Sequence, residues 1–245
     1  MSVILNAERI VKNFGGLMAV NRVTLQVDTR QIVGLIGPNG AGKTTFLNCI
    51  AGTYKPSGGR VQFMGEDTTG APAEAMCWRG LSRTFQIPLP FPRLTALENV
   101  MVGAVFGADH GRSKRARQRA EEALAFVKFP LDIHTRADRL NAAQLKRLDV
   151  ARALACNPKL LLLDELASGL TPAELDDMMA LILKMRDTFG VGMIVVEHIM
   201  KVIVGICERV LVIDYGTPIA EGTPVEVMNN PKVIEAYLGE EKGTV

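Results

Sequence analysis

Cysteine and histidine are scarce in this 245-residue sequence, which holds four of the first and three of the second. Cys49, Cys77, Cys156 and Cys207 lie far apart with no C-x-x-C pair, which argues against a disulfide framework or a Cys/His zinc site and fits a reducing cytoplasm. Long apolar runs are also missing. The longest, Val100 to Ala108, contains Gly103 and Gly107 and falls far short of the roughly 18 residues that span a bilayer. Near the N-terminus, Glu8, Arg9 and Lys12 stand where a signal peptide would carry its apolar stretch, so secretion is not expected. Charge of one sign is lacking too: 28 Lys and Arg against 26 Asp and Glu leave a net +2, without the basic excess of nucleic-acid binders. No nucleic-acid partner is expected. What is present is the composition of a globular protein, with 48% hydrophobic and 22% charged residues, and a length that favours one large domain.

The pattern along the chain changes twice. The first stretch reads as short strands and turns, with Val23, Leu25 and Val27 alternating as in a half-exposed strand. Ile32 to Ile36 is continuously apolar and enters a glycine-rich loop, as a buried parallel strand would. Phe46, Leu47, Ile50 and Ala51 then recur at helical spacing up to Gly52, and Gly58-Gly59 turns the chain into the alternation Val61-Gln62-Phe63. From about Ile87 to Cys156, after Pro88, Pro90 and Pro92, the pattern is mostly helical. Its basic run, Arg112 to Arg119, reads as a solvated helical face or, alternatively, as a contact for anionic lipid. Strands return at Leu160 to Leu163, Met193 to Val196 and Val210 to Ile213, and the helix Pro172 to Thr188 starts behind Thr171 as N-cap. This order predicts an α/β sheet interrupted by an all-helical insertion.

Two segments carry chemistry. Gly37-Pro38-Asn39-Gly40-Ala41-Gly42-Lys43-Thr44 fits G-x-x-x-x-G-K-[ST] in full, a match that chance supplies on the order of once in a hundred such chains. A buried strand before it and a helix after it are the context in which backbone N–H groups curl around phosphate oxygens. Lys43 would bridge the β- and γ-phosphates, Thr44 would offer its hydroxyl to Mg²⁺, and Thr45 extends the phosphate-contacting segment. The second segment, Leu160 to Glu165, is an apolar strand that delivers two carboxylates to the edge where ligands of open sheets bind. Asp164 is the candidate Mg²⁺ holder, and Glu165 the candidate for polarising an attacking water. No N-K-x-D segment is present, which favours ATP over GTP.

With these motifs in this order, nearly the whole chain resembles the ATP-binding subunits of ABC transporters. The resemblance implies a P-loop NTPase fold in one domain, 1–245, with a β-rich N-terminal part. Residues 1–86 and 157–225 would be the nucleotide-binding core, 87–156 the inserted helical subdomain and 226–245 a tail. It implies that Gln86, after Phe85, contacts Mg²⁺ and water. His198, in Val195-Val196-Glu197-His198, would reach the γ-phosphate, and Phe14 would stack on adenine rather than serve only as a core or surface ring. Ser82-Arg83-Thr84-Phe85-Gln86, Leu94 to Val100, Ile219 to Pro224 and Ala236-Tyr237-Leu238-Gly239 look like the branched-chain amino acid importers. Related importers of urea or other small amides and acids look alike.

The family signature Leu-Ser-Gly-Gly-Gln is here Leu140-Asn141-Ala142-Ala143-Gln144. In the family this segment faces the nucleotide of a neighbouring subunit, and alanine at a glycine that needs φ > 0 would cost about 1 kcal/mol or more. Asn141 caps a helix as well as serine does. The spacing of Leu145, Leu148 and Ala151 predicts an amphipathic helix with Lys146, Arg147 and Asp149 outside, so 140–155 also reads as a helix and nothing more. Leu166, Thr171 and Ile199 replace the proline, Asp or Asn, and aspartate that the family often carries. The resemblance therefore implies an ATPase that powers a membrane importer from the cytoplasmic face of the inner membrane, with transmembrane permease subunits and, indirectly, a solute-binding protein. Its second ATP-binding subunit would be a different chain with the usual signature. The alternatives are a soluble non-transport ABC-type ATPase and a regulatory nucleotide-binding subunit with weak hydrolysis.

Overall fold

A computed structural model describes residues 2–108 and 115–238. Two sheets organise it. Strands β1 (Val3–Phe14) and β2 (Leu17–Asp28) form a long hairpin, flanked by β4 (Gly58–Phe63) and the short β5 (Glu66–Asp67) in the antiparallel order β2-β1-β4-β5. The second sheet has the order β10-β9-β3-β8-β7-β6. In it, β3 (Ile32–Ile36), β6 (Leu81–Arg83), β7 (Leu160–Asp164), β8 (Gly192–Val196) and β9 (Arg209–Asp214) are parallel, and β10 (Thr217–Gly222) runs antiparallel to β9.

Every residue of β3, β7 and β8 is buried, as continuous apolar runs between two covered faces must be. Successive side chains alternate between two cores. Val33, Leu35, Leu160 and Leu162 join the core beneath the antiparallel sheet and α1 (Lys43–Ile50), with Phe46 and Phe63. Ile32, Ile36, Leu161 and Leu163 join the core shared with α6 (Pro172–Phe189), α7 (Met200–Ile206) and the helical insertion. That insertion is α3 (Ala96–Phe106), α4 (Ala116–Phe126) and α5 (Ala142–Ala155), which pack on one another. Gly103 explains part of the glycine content of the long apolar run. A Cβ there would lie 2.4 Å from the Arg152 carbonyl, so α3 and α5 cross too closely for a side chain. Short helices α2 (Ala73–Trp78), α8 (Pro224–Met228) and α9 (Pro231–Leu238) complete the described chain.

The N-caps expected at Thr171 and Asn141 are present as reciprocal capping boxes with Glu174 and Gln144. Two expectations are corrected. The first stretch is not short strands: β1 and β2 are 12 residues each, but register shifts, with Arg9 at φ 46° and Arg22 at φ 53°, break their alternation. On α5, Lys146 and Asp149 do not face outward. Both are buried, because Asp149 accepts from the Phe85 N–H at 3.0 Å and pairs with Arg152, while Lys146 donates into the loop after β7. The basic run Arg112 to Arg119 lies partly outside the described residues, as does Gly239.

Candidate functional site

The end of β3 runs into the glycine-rich loop, and α1 starts at Lys43 with Gly42 as its N-cap at φ 97°. A Cβ on Gly42 would sit 2.3 Å from the Ala19 carbonyl, so only glycine brings the loop this close to β2. The N-terminus of α1 points its free N–H groups into the hollow of the loop. Lys43 folds back across that hollow: its Nζ donates to the Gly37 carbonyl at 2.6 Å and to the Pro38 carbonyl at 2.8 Å. Burial pulls the pKa of this ammonium down, against the upward pull of the Glu165 and Asp164 carboxylates. A mobile cation already held by neutral carbonyls, in a partly dry site, is placed to accept an anion in exchange.

The C-terminal end of β7 carries the two carboxylates. Asp164 is buried and its Oδ2 lies 2.7 Å from Nη2 of Arg83, which comes from β6 and also bonds the Asn48 side chain on α1. The Asp164 N–H donates to Thr84 Oγ1 at 3.3 Å. The carboxylate is thus fixed by Arg83, which Asn48 steadies in turn, and the Asp164 backbone by Thr84. Glu165 follows at φ 48°, a left-handed backbone that a non-glycine residue keeps only where its surroundings impose it. Its N–H is held by the Val196 carbonyl of β8 at 2.9 Å. The side chain then turns toward Gln86, whose Nε2 donates to Glu165 Oε2 at 2.7 Å.

Gln86, Glu165, Phe14 and the loop residues Asn39, Gly40, Ala41, Gly42, Lys43, Thr44 and Thr45 all line one cleft of about 620 Å³. Its mouth is apolar on one side. Phe14 meets Tyr54 edge-on with ring centroids 5.3 Å apart, and the Lys12 ammonium lies 4.9 Å from the Phe14 centroid. A flat aromatic surface with a cation beside it suits a purine ring. Gly37 roots the loop from beneath, and Asp164 stands behind the cleft rather than in its wall.

The structure does not bring every expected residue to this cleft. His198 is exposed, two residues past β8, and is not part of the lining. Asn141, Ala142, Ala143 and Gln144 begin α5 and also lie outside it. Ala142 and Ala143 have ordinary helical backbone, without positive φ, so the alanines carry no backbone strain here. Three residues stand at or behind the site in ways the motifs alone do not mark. Arg83 stood inside a quoted motif, but nothing local marks its pairing with a residue 81 positions away. Lys146 was assigned to the surface. Tyr215, 87% exposed in the turn after β9, lines the cleft mouth beside Gly216. Its signal was available, since turns after parallel strands share the edge where the phosphate loop lies.

Comparison with known proteins agrees with this geometry. The family profile described as ABC transporter matches residues 20–168, and the profile described as branched-chain amino acid ATP-binding cassette transporter matches residues 217–243. The high-affinity branched-chain amino acid transport ATP-binding protein BraF of Pseudomonas aeruginosa is 40% identical, with 97% of this chain and 98% of that protein covered. Among solved structures, the ADP conformation of MJ1267, an ATP-binding cassette of an ABC transporter, superposes with a TM-score of 0.88 at 31% identity, covering 98% of this chain and 100% of that one. A dimeric post-hydrolysis state of the cassette MJ0796, bound to ADP and Pi, has a TM-score of 0.79 at 28% identity, covering 90% and 98%.

Proposed function

Because the chain belongs to the ABC transporter family of ATP-binding subunits, it is an ATPase subunit that powers transport, and we propose that its cargo is a branched-chain amino acid or a closely related small solute. The observation that carries the proposed chemistry is the convergence of Gln86, Glu165 and the loop 39–45 on one cleft. ATP would lay its phosphates against the loop and the start of α1, with its base against Phe14. Lys43 would leave the Gly37 and Pro38 carbonyls and bridge the β- and γ-phosphate oxygens. A water that displaces the Gln86 amide from the Glu165 carboxylate would attack the γ-phosphorus. As the new P–O bond forms, the bond to the bridging oxygen breaks, ADP leaves and Glu165 takes the water's proton.

The donor set also fits a hard cation: the Thr44 hydroxyl, the Asp164 carboxylate, which Arg83 fixes in place, and the Gln86 amide oxygen are all oxygen ligands. When bound, Mg²⁺ would neutralise developing charge on the phosphates. His198 would sense the γ-phosphate only after closure of the site, since it stands outside the open cleft. The cleft supplies one wall of the nucleotide site, and segment 141–144 is assigned to the nucleotide of a second subunit. That subunit would be a different chain with the usual signature, so that its signature and this chain's loop form the more competent of two pockets.

The chain would sit peripherally on the cytoplasmic face of the membrane; among the described residues no helix is long and apolar enough to cross one. A groove of about 380 Å³ between core and helical insertion supports contact with membrane subunits. Phe85, Leu89, Phe91 and Phe106 line it, and Ile87 is exposed beside it. Affinity purification of the tagged chain from its native membrane tests this partnership. Permease subunits should co-purify, whereas recovery of the chain with soluble proteins alone would favour a non-transport ATPase.

A further inference from the structure

The loop 165–170, between β7 and α6, is gripped by two buried charged side chains that take no part in the chemistry above. Lys146, 6% exposed, reaches in from α5: its Nζ donates to the Leu166 carbonyl at 2.8 Å, to the Glu165 carbonyl at 3.4 Å and to the Ser168 carbonyl. An ammonium has three donors and no acceptor, and the loop offers it three carbonyls. Glu197, 2% exposed at the end of β8, accepts the Ala167 N–H through Oε1 at 2.7 Å, while its Oε2 is buried without a hydrogen bond. Burial lowers the Lys146 pKa and raises that of Glu197, and each charge opposes the effect on the other. Neither side chain lines the nucleotide cleft.

The two grips come from different elements. Lys146 sits five residues beyond Asn141 on α5, about 7 Å along the helix axis. Glu197 immediately precedes His198. Between them lies the backbone of Glu165, held at φ 48°. A left-handed residue persists where neighbours over-determine it, and here the neighbours that hold the following loop are Lys146 and Glu197.

We propose that Lys146 and Glu197 are positioning residues, which fix loop 165–170 so that Glu165 meets Gln86, and that Lys146 passes any displacement of the 141–144 helix end to Glu165 within the same chain. This rests on the reading of Glu165 as the group that acts on water. A ligand closing on Asn141 to Gln144 then alters the alignment of a carboxylate in the other nucleotide cleft, without touching that cleft.

The test uses the full chain with its co-purifying subunits and MgATP, comparing Lys146→Met, Lys146→Arg, Glu197→Gln and the double variant Lys146→Met/Glu165→Gln. Lys146→Met should lower kcat tenfold or more, leave KM within twofold and speed amide exchange across residues 166–170. Lys146→Arg, which keeps donors, should stay within threefold of the native kcat. Glu197→Gln keeps the acceptor for Ala167 N–H, so its fall in kcat should be smaller. In the Glu165→Gln background, Lys146→Met should change the single-turnover rate by less than twofold, because it acts through Glu165. An equal fall in both backgrounds, a rise in KM alone, or unchanged kcat and exchange would overturn the proposal. If Lys146→Met does not fold, Lys146→Gln, which loses the charge and one donor, and Glu197→Gln decide it, and native exchange across 166–170 with native kcat in both overturns it. Failure of the reading beneath it looks different: Glu165→Gln would itself hydrolyse at the native rate, and unchanged exchange in Lys146→Met would then reject positioning as well.

Discussion

Gln86 Nε2 stands 2.7 Å from Glu165 Oε2, so the residue that ends the first half of the core and the residue that follows β7 meet across the cleft. An attacking water must take the place of the Gln86 amide on the Glu165 carboxylate, which then accepts from the water instead. Glu165→Gln should therefore keep ATP affinity and slow hydrolysis by about 10²- to 10⁴-fold, the usual range for loss of a general base. Single-turnover hydrolysis in the purified complex measures this. A native rate would assign the water to another group.

Lys43→Ala should weaken ATP binding by about ten- to a hundredfold, the worth of a charge-assisted hydrogen bond to phosphate. The Gly37 and Pro38 carbonyls lose their donor, and the bond to Gly37 is buried, so the variant should also lose about 1–3 kcal/mol of stability. Equilibrium titration with a labelled ATP analogue checks the first expectation, and undiminished affinity would remove Lys43 from the phosphate site.

The four thiols should react in a fixed order. The neighbouring Cys156 sulfur draws the Cys77 thiol down, while burial raises Cys49 to about 11 and Cys207 to about 12. The hydrogen bond to Cys77, followed by burial, pushes Cys156 upward. Only a thiolate is alkylated, so Cys77 should react fastest near neutral pH and the other three should stay slow there. Replacing Cys156 by Ala removes that neighbour and should slow Cys77 alkylation at neutral pH. Mass spectrometry after timed iodoacetamide treatment reads both results, and a Cys77 rate that ignores Cys156 would refute the assigned cause.

Asn141→Ser with Ala142→Gly and Ala143→Gly should raise the rate of the slower of two unequal sites in the complex. The described backbone predicts only a small stability loss, since Ala142 and Ala143 lie in the first turn of α5 with helical φ. The test follows ATP hydrolysis by the complex and the identity of the second ATP-binding chain. Two copies of this chain with full activity at both sites would contradict the unequal pair.

The parts of the site that were legible in the sequence are those whose physics is local. The phosphate loop needs glycine at Gly42, whose φ is 97°, and a strand and helix on either side, all set by neighbouring residues. The capping boxes at Asn141 and Thr171 are equally local. Lys146 and Asp149 were misplaced because periodicity assigns charges to water, whereas here loop carbonyls and the Phe85 N–H replace water. Those partners lie 20 and 64 positions away and leave no mark on the helix itself. Arg83 escaped for the same reason, and the long β1–β2 hairpin was hidden by its bulges.

ATP hydrolysed at this chain's cleft is expected to drive solute across a membrane. The direct measurement is uptake of labelled leucine, isoleucine or valine by vesicles containing the purified complex, with MgATP on the side that carries this chain. Uptake should require MgATP there and disappear in Glu165→Gln while ATP still binds. Uptake at the native rate in Glu165→Gln, or native ATP hydrolysis with no movement of any of the three, would contradict it.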